Sequence, residues 1–312
     1  MPTQPVPPAR QPVAPARVGA AMAGLWLCWG SSLPAMRVMV ATLPPLLASG
    51  AVFVAAGAAL AATRPGALRG VSFRQAVTAA GVGTCLLGAQ GTVALAERHV
   101  FASTAALLVA MVPLWVTVLR TALGHRPARA QVARLLLGLA GVIGVLAADP
   151  GSGTGWSAWA LAVTAAAIIW AAGTLWASRS ASLPAPRAAT ILQLSAGGLP
   201  LLAAGTMAGE PAQLAPATVS ASSWLALSYL VLIDSLAGFA LYTWLLRATT
   251  VSLASAYAYA VPVIAYLAGV LALGEPFRPA VLPGATAIII AVTAEARAIS
   301  SQPSHRTPGS GR

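Results

Sequence analysis

Ten apolar stretches divide this chain, at residues 18–40, 43–63, 75–95, 101–123, 129–148, 156–177, 188–208, 223–245, 251–274 and 279–297. A helix needs about 20 residues to cross a hydrocarbon core of about 30 Å, and each stretch has roughly that length. The stretches are continuous rather than alternating, and rich in alanine and leucine, which favours helices over barrel strands. Hydrophobic residues make up 58% of the 312 and charged residues only 8%, with a mean hydropathy of +0.81. A soluble domain with so few charges would not stay dissolved, whereas a bilayer protein needs apolar surface outside as well as inside. The expected fold class is all-α integral membrane, with ten transmembrane helices.

The chain is built twice. The stretch Val251 to Pro276 carries a central Pro262 and closes on Gly274-Glu275-Pro276; an earlier copy, Phe101 to Pro127, carries Pro113 and closes on Gly124-His125-Arg126-Pro127. The prolines are 149 residues apart and the glycines 150. A proline inside a spanning helix frees a backbone carbonyl, which must face protein or a watered cavity. Recurrence in both copies makes Pro113 and Pro262 candidate helix breaks, and His125 and Glu275 candidate caps or gate contacts. Five helices per copy is an odd number, so the second copy enters the membrane from the opposite side. The result is a pair of inverted five-helix repeats, the arrangement alternating access commonly uses. The repeats are expected at 18–148 and 149–297, flanked by disordered cytoplasmic tails at 1–17 and 298–312; the proline-rich first segment reads as a tail rather than a signal peptide.

All 18 basic residues are arginine, against six acids, for a formal charge of +12. They sit singly or in small groups between apolar runs, unlike the clustered face of a nucleic-acid binder. With a cytoplasmic N-terminus, fourteen of them fall inside and only Arg98 and Arg278 outside, which by the positive-inside rule predicts both termini in the cytoplasm. Trp156, Trp159, Trp176, Trp224 and Trp244 lie at the ends of their runs and read as interfacial anchors. Cys28 and Cys85 lie within apolar runs, and offer neither a disulfide framework nor a metal site.

Together these residues resemble the EamA type of the drug/metabolite transporter superfamily. The resemblance rests on Trp29-Gly30-Ser31-Ser32 in the first helix, the two proline-centred helices with their Gly-His-Arg and Gly-Glu-Pro ends, and Gly138-Leu139-Ala140-Gly141 in the fifth helix. It spans about residues 18–297. The sequence departs from the family pattern at Val52, where an arginine is common, at His125, where glutamate is common, and at Trp170-Ala171-Ala172, where a second Trp-Gly is expected. The resemblance implies a bacterial inner-membrane secondary transporter. It also implies export of small metabolites, amino-acid-like compounds or drugs, with import as the alternative direction.

Asp234 is the only acid near a helix centre. A charge there costs about 2.5–3.5 kcal/mol on insertion scales, so it must face a cavity, find a partner or carry a proton. A coupling-proton or cation-binding role and a structural, hydrogen-bonded role both stand open. Trp29 and Trp170 could wall a cavity or simply pack, and Ser31 lies where small residues let helices approach. Tyr257 and Tyr259 are two residues apart, so on one helix about 200° separates them and only one can face a given cavity. Arg37, toward a helix end, either snorkels to the interface or meets a substrate carboxylate or gate. Expected partners are a small-molecule substrate, the lipid bilayer and protons as coupling ion, with a homodimer left open, no nucleic acid, no cofactor and no metal. A membrane enzyme lacks support, since only three histidines occur and neither HExxH nor GxSxG is present; a non-transporting scaffold would leave Asp234 without a task.

Overall fold

The computed structural model describes residues 15–124, 126–148, 157–214, 216–248 and 257–300. Among these residues every regular element is helical. The helices are α1 (Pro15–Gly30), α2 (Ser32–Met39), α3 (Pro45–Ala62), α4 (Phe73–Ala96), α5 (Ala102–Val109), α6 (Val112–Ala122), α7 (Arg129–Ala147), α8 (Ala158–Arg179), α9 (Pro186–Met207) and the single turn α10 (Glu210–Gln213). After them come α11 (Ala221–Tyr229), a π-helical segment (Leu230–Ala237), α12 (Gly238–Ala248), α13 (Tyr257–Ala272) and α14 (Leu282–Ser300). Each of the ten apolar stretches contains helix among the described residues. Among the described residues, five unbroken helical stretches, one of them running from α11 through the π segment into α12, are long and apolar enough to cross a membrane; α5 and α6, bent by about 40°, make a sixth if counted as one span.

Apolar side chains cover the outside as well as the core. Leu136, Leu199, Leu225, Leu267 and Leu271 all stand exposed, a surface suited to lipid rather than water. Trp159, Trp176, Trp224 and Trp244 are likewise partly exposed, while Trp156 lies outside the described residues.

Contacts between the halves repeat in pairs. Equivalent helices meet directly where α3 lies along α9 and α7 along α14. The contact of α1 with α13 is matched by that of α5 and α6 with α8, and the contact of α4 with α8 by that of α1 with α12. Glycines make the closest of these contacts possible. A Cβ at Gly83 would lie 2.4 Å from the Gln193 carbonyl oxygen, and one at Gly197 would lie 2.5 Å from that of Gly83, so α4 and α9 touch backbone to backbone. In the fifth stretch, a Cβ at Gly141 would sit 2.7 Å from the Gly284 oxygen, so the small residues of that stretch are what lets α14 close against it.

The breaks fall in three places. The α5–α6 bend comes at Ala110 and Met111, with Pro113 in the first turn of α6. In the second copy α13 runs as one helix past Pro262. A single proline removes one backbone hydrogen bond, and a helix can carry that loss without stopping. The other two breaks, at Ser31 and at the π segment, lie in stretches that read as plain helices.

Replacing Gly197 with leucine should force α4 and α9 apart at a backbone contact that cannot yield. Overpacking of this kind costs about 1–3 kcal/mol or more. The expected result is a lower melting temperature in detergent than that of the parent, measured by scanning fluorimetry, with Gly88→Leu as a control because a Cβ there meets no atom within 4 Å.

Candidate functional site

The first helix is interrupted by its own side chains. Pro34 has no N–H for the Gly30 carbonyl, and the helix stops at Gly30, leaving Ser31 between α1 and α2. Serine hydroxyls add bonds to carbonyls of the preceding turn: Ser31 Oγ donates to the Leu27 oxygen at 2.5 Å and lies 3.2 Å from that of Cys28, and Ser32 Oγ donates to the Trp29 oxygen at 2.8 Å. With its own proton directed at Leu27, the Ser31 hydroxyl accepts from Tyr229 Oη of α11 at 2.7 Å. A Cβ at Gly30 would come within 2.5 Å of Ile264 Cγ2, so α13 presses against the break from the other side.

Facing the break is the π segment, and Asp234 lies within it. Such segments carry one extra residue per turn and recur at functional sites. Trp29 joins the two irregularities. Its indole N–H donates to the Asp234 carbonyl oxygen at 3.3 Å, and its ring sits so close to Gly238 that a Cβ there would lie 2.5 Å from Nε1. The same ring meets Phe239 edge-on at 5.8 Å and Tyr242 at 5.3 Å. The Asp234 carboxylate takes no hydrogen bond or ion pair among the described residues, while Cys28 lies within its electrostatic reach. Beside the π segment opens a cavity of about 330 Å³, lined by Leu60, Arg187, Thr190, Ser235, Phe239 and Trp244. Its walls are mainly apolar, with the hydroxyls of Thr190 and Ser235 and the Arg187 guanidinium as polar groups.

A second cluster closes one end of the bundle. Arg37 of α2 donates through Nη1 to the carbonyls of Glu97 and Val100, just past the end of α4, and Arg98 returns the favour through Nη2 to Leu43 at 3.0 Å and Nε to Val40 at 3.3 Å, just past the end of α2. Acids serve the helix N-termini. Glu275 accepts from the Ala102 and Ser103 N–H groups of α5 at 2.7 and 3.0 Å, and Glu210 accepts from the Leu46 and Leu47 N–H groups of α3 at 3.1 and 2.8 Å. Cations at C-termini and anions at N-termini both complement the helix dipoles. Arg37 Nε also approaches Glu275 Oε1 to 3.9 Å, and the Arg37 and Arg278 guanidinium groups flank the Phe101 ring.

Of the residues singled out in the sequence, Trp29, Ser31 and Asp234 meet at the first site, and Arg37 and Glu275 at the second. Trp170 packs against the main core, in a different apolar cluster from Trp29. Tyr257 and Tyr259 lie in the first turn of α13, with Pro113 and Pro262 in α6 and α13; their side chains and the whole of His125 lie outside the described residues. Tyr229, Glu97 and Glu210 were not anticipated as site residues. The available signal was weak: Glu97 and Glu210 each follow the end of an apolar run, as many loop acids do. No group of three His, Cys, Asp or Glu side chains suited to a metal occurs among the described residues.

Comparison with known proteins agrees with this architecture. The model of the EamA-like transporter family matches residues 19–147 and 157–294. The protein named "Uncharacterized inner membrane transporter YedA" of Escherichia coli strain K12 is 34% identical over 254 residues, 80% of each chain, and its counterpart in Escherichia coli O157:H7 matches equally. A crystal structure superposes with a TM-score of 0.58 over 92% of this chain and 100% of that one, at 24% identity, a likeness of fold.

Replacing Glu275 with alanine should leave two buried N–H groups without an acceptor. At about 1–3 kcal/mol for each unsatisfied group, the loss is of the order of 3 kcal/mol. Glu275→Gln, which keeps one acceptor oxygen, is expected to lose less than half as much, as measured by thermal unfolding of the two variants in the same detergent.

Proposed function

The chain belongs to the EamA-like transporter family, and on that premise we propose that it is a proton-coupled secondary exporter of small metabolites, amino-acid-like compounds or drugs. In this reading ten helices cross the inner membrane as two inverted five-helix repeats, at residues 18–148 and 149–297, with both termini and the arginine-rich face in the cytoplasm. The two repeats rock against each other, exposing a shared site to each side in turn.

The observation that supports this reading best is the meeting of two irregular helices from opposite halves at Trp29 and Asp234. The indole N–H is committed to the Asp234 carbonyl oxygen, so the carboxylate stays available to a proton or to a cationic group on the substrate. Because Trp29 belongs to the first half and Asp234 to the second, relative movement of the halves changes the carboxylate's surroundings. A proton can then be taken on one side and released on the other, in step with substrate. The cavity beside Ser235 gives a substrate with an apolar body a place to sit, and the same cavity would serve uptake if the direction were reversed.

Proteoliposomes carrying the wild-type chain or Asp234→Asn, tested with a panel of labelled metabolites under an imposed pH gradient, check the reading. Gradient-driven movement of at least one compound is expected from wild type, with a fall of about tenfold or more in the variant. Equal rates would assign Asp234 a structural role and remove it from coupling. Asp234→Glu, which keeps the carboxyl, is expected to retain more activity than Asp234→Asn.

A further inference from the structure

Among the described residues, Glu97 is the one acid at this end that caps nothing. It lies one residue beyond α4, is 1% exposed, and neither carboxylate oxygen has a hydrogen-bond partner. Its backbone carbonyl is held by Arg37, so the side chain starts beside the guanidinium that pairs with Glu275. Arg37 thus lies between the Glu97 backbone and the Glu275 carboxylate, and the buried Glu97 carboxyl is near enough to feel both charges without touching either. Glu275 is fixed by two backbone N–H groups and by Arg37, whereas Glu97 has neither. A buried carboxylate without donors is costly as an anion, so the proton resides on Glu97.

We propose that Glu97 is a proton-binding site that controls the gate at this end of the bundle, separate from Asp234. With Glu97 protonated, Arg37 remains on Glu275, and that pair ties α2 of the first half to the segment after α13 of the second. When Glu97 loses its proton it becomes a second anion beside the same guanidinium and draws Arg37 from Glu275. The cross-repeat latch is released and the N-terminus of α5 opens to water. The proton is the only ligand, and no bond forms beyond the exchanged ion pair.

Other charged groups at this end do not supply the same switch. Arg98 is committed to the carbonyls of Val40 and Leu43, Arg278 lies over Phe101, and Glu210 caps α3. His99 stacks on Trp159 at 4.3 Å and carries an ionisable ring at the same end, so it must be separated by experiment. Burial holds the Glu97 carboxyl well above the usual carboxylate range; Arg37 opposes the shift and Glu275 adds to it. The latch is therefore closed at low pH, while Glu97 keeps its proton, and opens as rising pH removes it.

Ser103, buried against Glu275, reports the state of the latch once replaced by cysteine. Ser103→Cys protein in nanodiscs is treated with a charged maleimide across the whole pH range in which the fold is stable, and modification of residue 103 is read by mass spectrometry after correction for thiolate fraction. The corrected rate is expected to rise about tenfold over that range and to change less than about twofold when Glu97→Gln is added. Adding Arg37→Gln instead removes the latch and is expected to give fast modification at every pH, so the idea stays testable even where the Glu97 variant folds poorly. Adding His99→Gln is expected to leave the pH dependence in place. A flat profile in the parent, a persistent rise in Glu97→Gln, slow modification in Arg37→Gln, or loss of the rise in His99→Gln would each overturn the proposal. The assay needs neither substrate nor gradient, so its failure is distinct from a failure of transport through Asp234.

Discussion

Every helix leaves its first N–H groups and its last carbonyls without partners inside the helix, and in a nearly dry bundle those groups cannot rely on water. Much of this structure follows from how they are satisfied. At one end, Arg37 serves the end of α4, Arg98 the end of α2, Glu275 the start of α5 and Glu210 the start of α3. Each charged group comes from a different helix than the end it serves, so the caps also join neighbouring segments. Charges that would be costly to bury are placed where helix dipoles and unpaired backbone groups compensate them.

The two halves meet in two different ways. Along α4 and α9, glycines bring backbones into contact and leave little freedom for sliding. Around Trp29 the contacts are of another kind: a helix interrupted at Ser31, a π segment, and aromatic rings with room beside them. Local irregularity therefore collects at the junction where a transporter of this family would have to change shape, and regular packing holds the periphery. This contrast gives Asp234 its setting, since an acid in a π segment beside a broken helix has more varied surroundings than one in a continuous packed helix.

Charge placement links the two regions. Asp234 lies beside the junction and leaves its carboxylate free, whereas Glu97 is buried at the capped end, its backbone held by the arginine that pairs with Glu275. The two acids differ in what surrounds them rather than in kind. Their common feature is a carboxylate that the helices around it do not use.

The sequence by itself determined the helical class, the membrane setting and the duplication, because each rests on local quantities: apolar run length, arginine placement and recurring proline and glycine positions. Asp234 stood out for the same reason, as an acid within an apolar run. Other features were decided only by tertiary structure. Pro262 carries the same signal as Pro113, yet α13 continues through it, while the first helix breaks at Ser31, where serine hydroxyls bond carbonyls of the preceding turn and Tyr229 arrives from 198 positions away. Arg37, which could as well have reached for the interface, turns inward because the end of α4 and the Glu275 carboxylate lie within its reach. Glu97 and Glu275 each follow an apolar run as simple loop acids, but one is left without a partner and the other caps α5 across 173 residues. Such differences come from which helix end is brought beside each charge, and one-dimensional spacing does not contain that information.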